Sequence, residues 1–445
     1  MYTSYVGKKF LQLYREHNNL PDDYTARQFF DEVFFPLFFD DEEHLMHVGN
    51  SPFFQKPTAD AVKESGSKSL AQLKNLRAKI DEGIPSGAIY VGYAAEDIQA
   101  TSSGQLTNID FKTGAEDMYA SWIGQALSIG VSGGFVMLIE KTEIFWALFE
   151  GWSIYRRYLR QTPNLKDKQI ETWNGQWLNH AFGKNYDVNN IMAGFDPKPQ
   201  TVLGNLAIPT IDWVRIVFAL SRKYPNELVT AYAYNLSQTN TTLGFINLFL
   251  PQVRSLILLK EELYTYSDGV KDQDLEQLYS TYFNFKNAYK LGTIGLKALE
   301  PDKLREFMPS GSITFAGGKD PKFKSDDDYF QYQIFKTWIM AMLSNKKELN
   351  ALAEQVAQAL IDFEDKSSDK KRGKTTQESL SDTIKSSKHL REFLDNLTNL
   401  MEKDGSVASN FKTVKDTVLQ LPADLFPLFV TLIRFEYQYK KSTKS

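Results

Sequence analysis

The stretch KELNALAEQVAQALIDF, from Lys347 to Phe363, predicts a helix with one apolar face. Its large apolar residues recur at intervals of three and four, the spacing that brings side chains onto one side of an α-helix. They are Leu349, Leu352, Val356, Leu360 and Phe363. Because a helix of this kind gains most of its stability by packing that face, the flanking sequence should supply partners.

Three further amphipathic helices follow along the chain. Their apolar faces are formed by Leu390, Phe393, Leu394 and Leu397, by Val407, Phe411, Val414, Val418 and Leu421, and by Phe426, Val430, Ile433 and Tyr437. Most connections between them are short, which favours antiparallel neighbours. The sequence therefore predicts a C-terminal antiparallel helical bundle over residues 326–445.

The N-terminal body, residues 1–325, should be mixed and mostly helical, with a small sheet at about 85–140. Its expected strands are PSGAIYVGY at 85–93, QLTNIDF at 105–111 and GGFVMLIE at 133–140. GAEDMYASWIGQALSIG, at 114–130, should form a helix with acidic residues in its first turn. The expected fold class is α+β, predominantly helical.

Composition excludes several classes of function. The chain of 445 residues has no cysteine, so disulfides, thiolate metal sites and cysteine nucleophiles are absent. A net charge of −4 argues against a protein that coats nucleic acid through uniform basic charge. Phosphate-loop, dinucleotide-binding and hydrolase-elbow motifs are missing, and no apolar run approaches the ~20 residues that span a bilayer. We expect a cytoplasmic, non-membrane protein without a cofactor.

Two segments are rich in amide and hydroxyl side chains: ATSSGQLTN at 100–108, and TAYAYNLSQTNTTLG at 230–244. Such groups can bind both phosphate oxygens and the edges of bases. A strand-connecting turn with locally satisfied hydroxyls is the alternative interpretation.

Two basic stretches could supply the affinity that an uncharged loop lacks. YRRYLR, at 155–160, could place guanidinium groups along phosphates, or it could be a helix end with its tyrosines packed inside. KKRGK, at 370–374, could contact phosphates or be a solvated linker. The candidate nucleic-acid-binding residues are Ser102, Ser103, Gly104, Gln105, Asn108, Lys112, Arg156, Arg157, Arg160, Asn235, Gln238, Asn240, Lys371, Arg372 and Lys374.

Two groups of residues could instead form a catalytic or metal site. Asp97, Asp110 and Lys112 form the bare outline of a magnesium-dependent nuclease, with carboxylates for the metal and a lysine for developing charge. The proline that usually precedes the first acid is missing. His44 and His47 lie in the acidic run DDEEHLMH, which we interpret as a solvated loop rather than a zinc site.

Two stretches resemble the large subunit of type I CRISPR interference (Cascade) complexes: LQLPADLFPLFVTLIRFEYQYKKS at 419–442 and PSGAIYVGYAAEDIQATSSGQLTN at 85–108. In that family an N-terminal mixed domain inspects the protospacer-adjacent motif, and a C-terminal helical bundle resembles the separate small subunit. The resemblance covers most of the chain in architecture, but no short motif defines the family, so no site residue is carried over.

The resemblance implies a non-catalytic subunit of an RNA-guided antiviral defence complex. Its partners would be guide RNA, the other subunits, duplex target DNA and a helicase-nuclease, and it would help to open the duplex. An internal start at Met340 or Met342 would yield a separate small subunit, as in some relatives. A magnesium-dependent restriction-type nuclease and a helical scaffold protein remain the two alternatives.

Overall fold

The computed structural model describes residues 1–93, 113–237, 241–263, 279, 283–310, 317–344, 347–366, 376–405 and 408–444. The chain forms two compact units. The first comprises Met1–Pro251 with Phe285–Ile294, and the second comprises Gln252–Asn284 with Gly295–Ser445. The domain boundary expected at 325 falls inside the second unit. The predicted α+β, predominantly helical class is confirmed.

Of the longer described helices up to residue 263, all but the last belong to the first unit, and the last lies in the second unit from Gln252 onward. In chain order they are α1 (Tyr2–Asn18), α2 (Ala59–Ser65), α3 (Lys68–Asp81), α4 (Ala115–Ala126), α5 (Thr142–Gln161), α6 (Ile170–Ala181), α7 (Trp213–Lys223) and α8 (Leu250–Leu263). Short helical segments of the first unit lie at Ala26–Phe29, Phe30–Phe34, Phe35–Phe38, Pro52–Phe54 and Phe285–Tyr289. No helix among the described residues is both long and apolar enough to cross a membrane.

The main sheet of unit 1 has five described strands in the order β1-β2-β5-β6-β7. The strands are β1 (Ile129–Val131), β2 (Phe135–Ile139), β5 (Leu228–Asn235), β6 (Thr242–Phe249) and β7 (Thr293–Ile294); β3 (Gln200–Val202) and β4 (Asn205–Ala207) form a separate pair. All neighbours in the main sheet are antiparallel except β6 and β7. Only β1 and β2 lie within the region 85–140 where the sheet was expected.

The predicted strand at 85–93 is wrong, and the reason is local hydrogen bonding. Its main chain closes turns on itself, with the amides of Ile89 and Tyr90 both donating to the Ser86 carbonyl. Its apolar side chains Ile89, Tyr90, Val91 and Tyr93 are nevertheless buried. Polar side chains of neighbouring helices donate hydrogen bonds to its backbone carbonyls. Thr3 donates to the Val91 carbonyl at 2.6 Å, and the Trp122 indole donates to the Ile89 carbonyl at 2.9 Å.

The other predictions in this region have mixed outcomes. The strand predicted in GGFVMLIE is confirmed as β2, and the helix predicted at 114–130 is confirmed as α4. The helix ends at Ala126 rather than Gly130, because Ile129 pairs with Met137 in the sheet. The strand predicted at 105–111 lies outside the described residues.

Tryptophan side chains connect the helices of unit 1 through their indole N–H groups. Trp152 donates to the carbonyl of Ala126 at 3.1 Å, and Trp173 and Trp177 donate to the carbonyls of Gly151 and Ala147 at 3.0 and 2.8 Å. Each ring is therefore buried with its one polar group satisfied, as buried indoles require. These bonds fix α6 against α5 and α5 against the end of α4.

The closest helix contact in unit 1 is between α1 and α4. A Cβ atom on Gly7 would lie 1.8 Å from the Ala120 carbonyl oxygen, and one on Gly124 would lie 1.8 Å from the Thr3 carbonyl oxygen. Both obstacles are backbone atoms of a neighbouring helix. The two helices therefore touch backbone to backbone, and only glycine fits at either position.

The second unit contains, in its described part, α9 (Asp326–Met342), α10 (Lys347–Asp365), α11 (Thr376–Lys385), α12 (Leu390–Lys403), α13 (Ala408–Val418) and α14 (Phe426–Lys444). The four predicted amphipathic helices are confirmed as α10, α12, α13 and α14. Two helices were missed. They are α9 and α11. Among the described helices, α10 packs most extensively against α14.

Buried charges of α14 explain why residues before 325 belong to this unit. The Arg434 guanidinium donates to the carbonyls of Phe307, Gly318 and Lys319 at 2.7, 2.8 and 2.8 Å. It thereby holds the segment preceding α9 against the last helix. The buried Glu436 carboxylate accepts from the Tyr332 hydroxyl and from Lys336 at 2.9 Å.

The α1–α4 contact makes a stability prediction. Gly124→Ala should lower the free energy of unfolding by at least about 3 kcal/mol, because the added methyl group must separate two helix backbones. Urea denaturation followed by circular dichroism measures the change. The matched control is Gly114→Ala at the start of the same helix, where a Cβ meets no atom within 4 Å. Equal losses for the two variants would contradict the close contact.

Candidate nucleic-acid interface

Many of the predicted site residues lie outside the described residues. This holds for Asp97, Ser102, Ser103, Gly104, Gln105, Asn108, Asp110 and Lys112, for Gln238 and Asn240, and for Lys371, Arg372 and Lys374. The described candidates are Arg156, Arg157, Arg160 and Asn235.

Arg156 is a structural residue in this fold. Its side chain is 4% exposed. The guanidinium donates to the carbonyls of Leu37, Glu43 and Phe38 at 2.9, 2.7 and 3.3 Å. It also lies 3.4 Å from an Asp41 carboxylate oxygen. Arg156 is therefore not available to a phosphate. At this residue the structure matches the alternative prediction, a packed helix end.

The other two arginines of α5 reach solvent. Arg157 is exposed, and the Arg160 side chain is 58% exposed with its guanidinium 2.9 Å from Asp41. The two tyrosines of the stretch YRRYLR, Tyr155 and Tyr158, pack against Trp173. The Tyr155 ring is buried and stacks on Trp173 at 4.9 Å between centroids, and the Tyr158 ring lies 5.4 Å from the same indole. The stretch YRRYLR thus offers cations but no free aromatic face.

Asn235 ends β5 and closes the turn that follows it. Its Oδ1 atom accepts hydrogen bonds from the main-chain amide of Ser237 at 2.9 Å and from the Ser237 hydroxyl at 2.8 Å. The main-chain N–H of Asn235 donates to the Thr241 carbonyl at 2.8 Å. The carboxamide oxygen is therefore used locally, as the turn alternative expects.

One cavity of unit 1 has a volume of about 950 Å³. Tyr93, the last described residue before the first amide-rich segment, lies in its wall. So do Leu236 and Ser237, which belong to the second segment and are the last described residues before Gln238. Tyr93 and Leu236, more than a hundred positions apart in sequence, therefore line the same cavity.

Lys166 and Lys168 bring positive charge to this cavity from a well-anchored connection between α5 and α6. The Lys166 amide donates to the Leu206 carbonyl at 2.7 Å, and the Lys168 amide donates to the His44 carbonyl at 2.8 Å. Lys166 is exposed, and the Lys168 ammonium is paired with Asp167. The main chain of the connection is therefore held at both lysines, and of the two ammonium groups that of Lys166 is the exposed one.

The two histidines of the acidic run differ in burial. The His44 ring is 9% exposed and lies 5.2 Å from the Phe39 ring, while His47 is exposed and lines the cavity 4.6 Å from the Phe54 ring. Burial, reinforced by the charge of Lys168, lowers the pKa of His44 to about 4 and also lowers the pKa of His47. The expected solvated loop is therefore corrected at His44, whereas His47 is exposed as expected.

A buried carboxyl group, that of Glu171, lines this cavity. Glu171, in the first turn of α6, is 8% exposed and accepts from the Gln125 side-chain amide at 2.9 Å. The carboxamide oxygen of Gln125 in turn accepts from the Tyr234 hydroxyl at 2.8 Å. Burial raises the pKa of Glu171 to about 7 although the Gln125 hydrogen bond lowers it. The carboxyl group is thus poised between its charged and neutral forms near neutral pH.

Neither Gln125 nor Glu171 was singled out from the sequence. Gln125 lies in the apolar run SWIGQALSIG, where a lone amide inside a buried helix is a usable signal for a polar partner. Glu171 resembles an ordinary acidic residue of a first helical turn, so the sequence gives no indication that it is buried.

The raised pKa of Glu171 predicts a pH-dependent stability. A carboxyl whose folded pKa lies above its unfolded value of about 4.5 stabilises the protein at low pH, and that contribution is lost as pH rises toward about 7. Glu171→Gln removes the titration. Relative to the parent chain, it should therefore become more stable between pH 4.5 and 7, by on the order of 3 kcal/mol in total.

Urea denaturation at intervals across this pH range measures the difference. Glu150→Gln, the same chemical change at an exposed position of α5, is the matched control. A parent-to-variant difference that stays constant from pH 4.5 to 7 would contradict the raised pKa.

Comparison of this chain with protein-family models, with curated proteins and with solved structures finds no match in any of the three. The geometry of the cavity and the chemistry of its walls are therefore the basis for inferring what the chain does.

Proposed function

We propose that this chain is a non-catalytic, cytoplasmic DNA-binding subunit of an RNA-guided antiviral defence complex. In this role unit 1 contacts duplex DNA on the side of the cavity, inspects a short adjacent motif and aids opening of the duplex. Guide RNA and other subunits are its partners, and a helicase-nuclease is recruited to it.

The observation that carries the proposal is a single cavity whose wall holds Lys166 and Lys168 together with Leu236 and Ser237 of the second amide-rich segment and Tyr93, the last described residue before the first. Uncharged amide and hydroxyl groups distinguish base edges, whereas cations supply affinity that does not depend on sequence. Lys166 and Lys168 fit the second role, and residues of the two segments fit the first. A surface with both kinds of group on one side suits brief inspection of a duplex.

Arg157, near the end of α5, offers a further exposed cation for phosphate contact. It lines a different cavity of unit 1 from the one that holds Lys166 and Lys168.

The helical second unit supports assembly into a larger complex. Its last helix, α14, includes most of the C-terminal stretch, 419–442, that resembles large subunits of Cascade complexes, and its four predicted amphipathic helices are present. In that family such helices resemble the small subunit. Guide pairing would then read the target sequence while unit 1 reads only the short motif.

The lysine pair gives the first test. Lys166→Ala combined with Lys168→Ala should weaken binding to all duplexes at about 0.1 M salt. If each lysine contacts one phosphate, the slope of log affinity against log salt should become shallower by about 0.9 per contact. Fluorescence anisotropy with a labelled duplex at several salt concentrations measures both quantities. Lys63→Ala, at an exposed position of α2 outside the cavity, is the control.

Changes in the amide-rich segment should act differently from the lysine changes. Gln105→Ala and Asn108→Ala should reduce discrimination between duplex sequences by about 1–3 kcal/mol where a base contact is lost, and should leave the salt slope unchanged. Identical behaviour of the amide and lysine variants would refute the division into base readers and phosphate anchors.

Incubation with duplex DNA and magnesium separates this proposal from the nuclease alternative. Cleavage that Lys112→Ala abolishes would replace the proposal with the restriction-type nuclease. If the intact chain neither binds DNA nor co-purifies with RNA, the scaffold alternative would stand.

A further inference from the structure

We infer that a groove along α5 binds an amphipathic helix of a partner protein. The bound helix runs antiparallel to α5, with acidic residues in its first turn and basic residues in its last turn. The groove shares no lining residue with the cavity that holds Lys166 and Lys168, so the inference goes beyond the proposed function and does not rest on it.

Three segments of unit 1 line the groove, which has a volume of about 860 Å³. They are one face of α5, the short helical segments Phe30–Phe34 and Phe35–Phe38, and the chain that follows α6. Val188, in the last of these, is 74% exposed, so part of the apolar surface is open to a partner. The apolar lining includes Val33, Leu37, Phe149, Ile154, Val188 and Ile191.

Two charges of opposite sign lie on the α5 side of the groove. Glu150 and Arg157 are both exposed, and neither forms an ion pair with another described residue. They are seven positions apart, which places them on one face of the helix, ~10 Å apart along its axis. Ile154 lies between them in the same lining. Along its course α5 therefore presents a negative, an apolar and a positive group to the groove.

The carboxylate of Glu32 adds to the negative end. It accepts from the Tyr24 hydroxyl at 2.9 Å, and the Tyr24 ring lies 6.3 Å from the Tyr14 ring. Tyr14 in turn lies 5.6 Å from the ring of Phe149, the neighbour of Glu150 in sequence. These contacts bring two carboxylates to the same end of the groove.

The opposite end is basic. The Leu37 carbonyl accepts from the Arg156 guanidinium at 2.9 Å, which brings the end of the short helical segments to the C-terminal half of α5. Arg160 lines the groove here too, with its guanidinium 2.9 Å from Asp41. Because Asp41 neutralises part of the charge of Arg160, Arg157 supplies the unpaired cation.

A helix with the usual distribution of charge complements both ends of the groove. Acidic residues are favoured in the first turn of a helix and basic residues in the last. In the antiparallel orientation the first turn meets Arg157, the last turn meets Glu32 and Glu150, and the apolar face covers Ile154. A nucleic-acid strand fits less well, because its phosphates would also lie against the two carboxylates.

Fluorescence anisotropy with the full chain and labelled, designed helical peptides tests the inference. The first peptide, of about 15 residues, has glutamates in its first turn, leucines at intervals of three and four, and lysines in its last turn. The second exchanges the glutamates and lysines. The first should bind about fivefold more tightly at about 0.1 M salt, and added salt should reduce the difference. A third peptide with serines for leucines should bind at least about tenfold more weakly than the first.

An exchange of charges in the protein separates recognition from folding. Glu150→Arg combined with Arg157→Glu should reverse the preference between the first two peptides, a result that a partly unfolded chain cannot produce. Val188→Asp should weaken binding of both peptides, because it puts a charge into the apolar lining. Lys63→Glu, at an exposed position of α2 outside the groove, is the control and should leave both affinities unchanged.

Equal affinities of the first two peptides for the parent chain, or an unchanged preference in the exchanged variant, would overturn the inference. Displacement of the first peptide by duplex or single-stranded DNA, lost in Arg157→Glu, would assign the groove to phosphates instead. A dimer of the free chain that Val188→Asp dissociates, measured by sedimentation, would assign it to a second copy. Duplex binding by the variants of Lys166 and Lys168 is a separate readout, so either proposal can fail alone.

Discussion

The burial of α4 constrains the rest of unit 1. Every residue from Met118 to Ala126 is buried, so polar groups along this stretch depend on partners inside the protein, and the Tyr119 hydroxyl is left without one. Ser121 and Trp122 bond the turns at 89–91, and Gln125 bonds Glu171. The carbonyl of Ala126 accepts from Trp152 and from Asn174 at 2.7 Å. One buried helix thus fixes the positions of a turn, two other helices and the carboxyl of the cavity.

The sequence predicts elements whose pattern is local. The helices of the second unit follow from apolar spacing, and β2 follows from a short apolar run beside glycines. The segment 85–93 is also a short apolar run bounded by glycine, yet it forms turns. Thr3, Ser121 and Trp122 supply hydrogen-bond partners for its backbone. Those partners come from distant parts of the chain. No pattern within the segment distinguishes the two outcomes.

The candidate site is harder to predict for the same reason. YRRYLR is visible as a cationic stretch, but the separation of a buried Arg156 from an exposed Arg157 depends on carbonyls at Leu37, Phe38 and Glu43. The lysines of the cavity come from an ordinary connection. Glu171 looks unremarkable in sequence, and its unusual pKa arises only from burial in the folded unit.

The charges of α14 bear on how the C-terminal helices could be produced alone. A product that starts at Met340 or Met342 would lack nearly all of α9, including Tyr332 and Lys336. The carboxylate of Glu436 would then remain in an apolar setting without its two donors, and Arg434 would lose the carbonyls of Phe307, Gly318 and Lys319. Stranded charges of this kind cost several kcal/mol each. A second translation product from either methionine would therefore need a different partner to take the place of the missing helix.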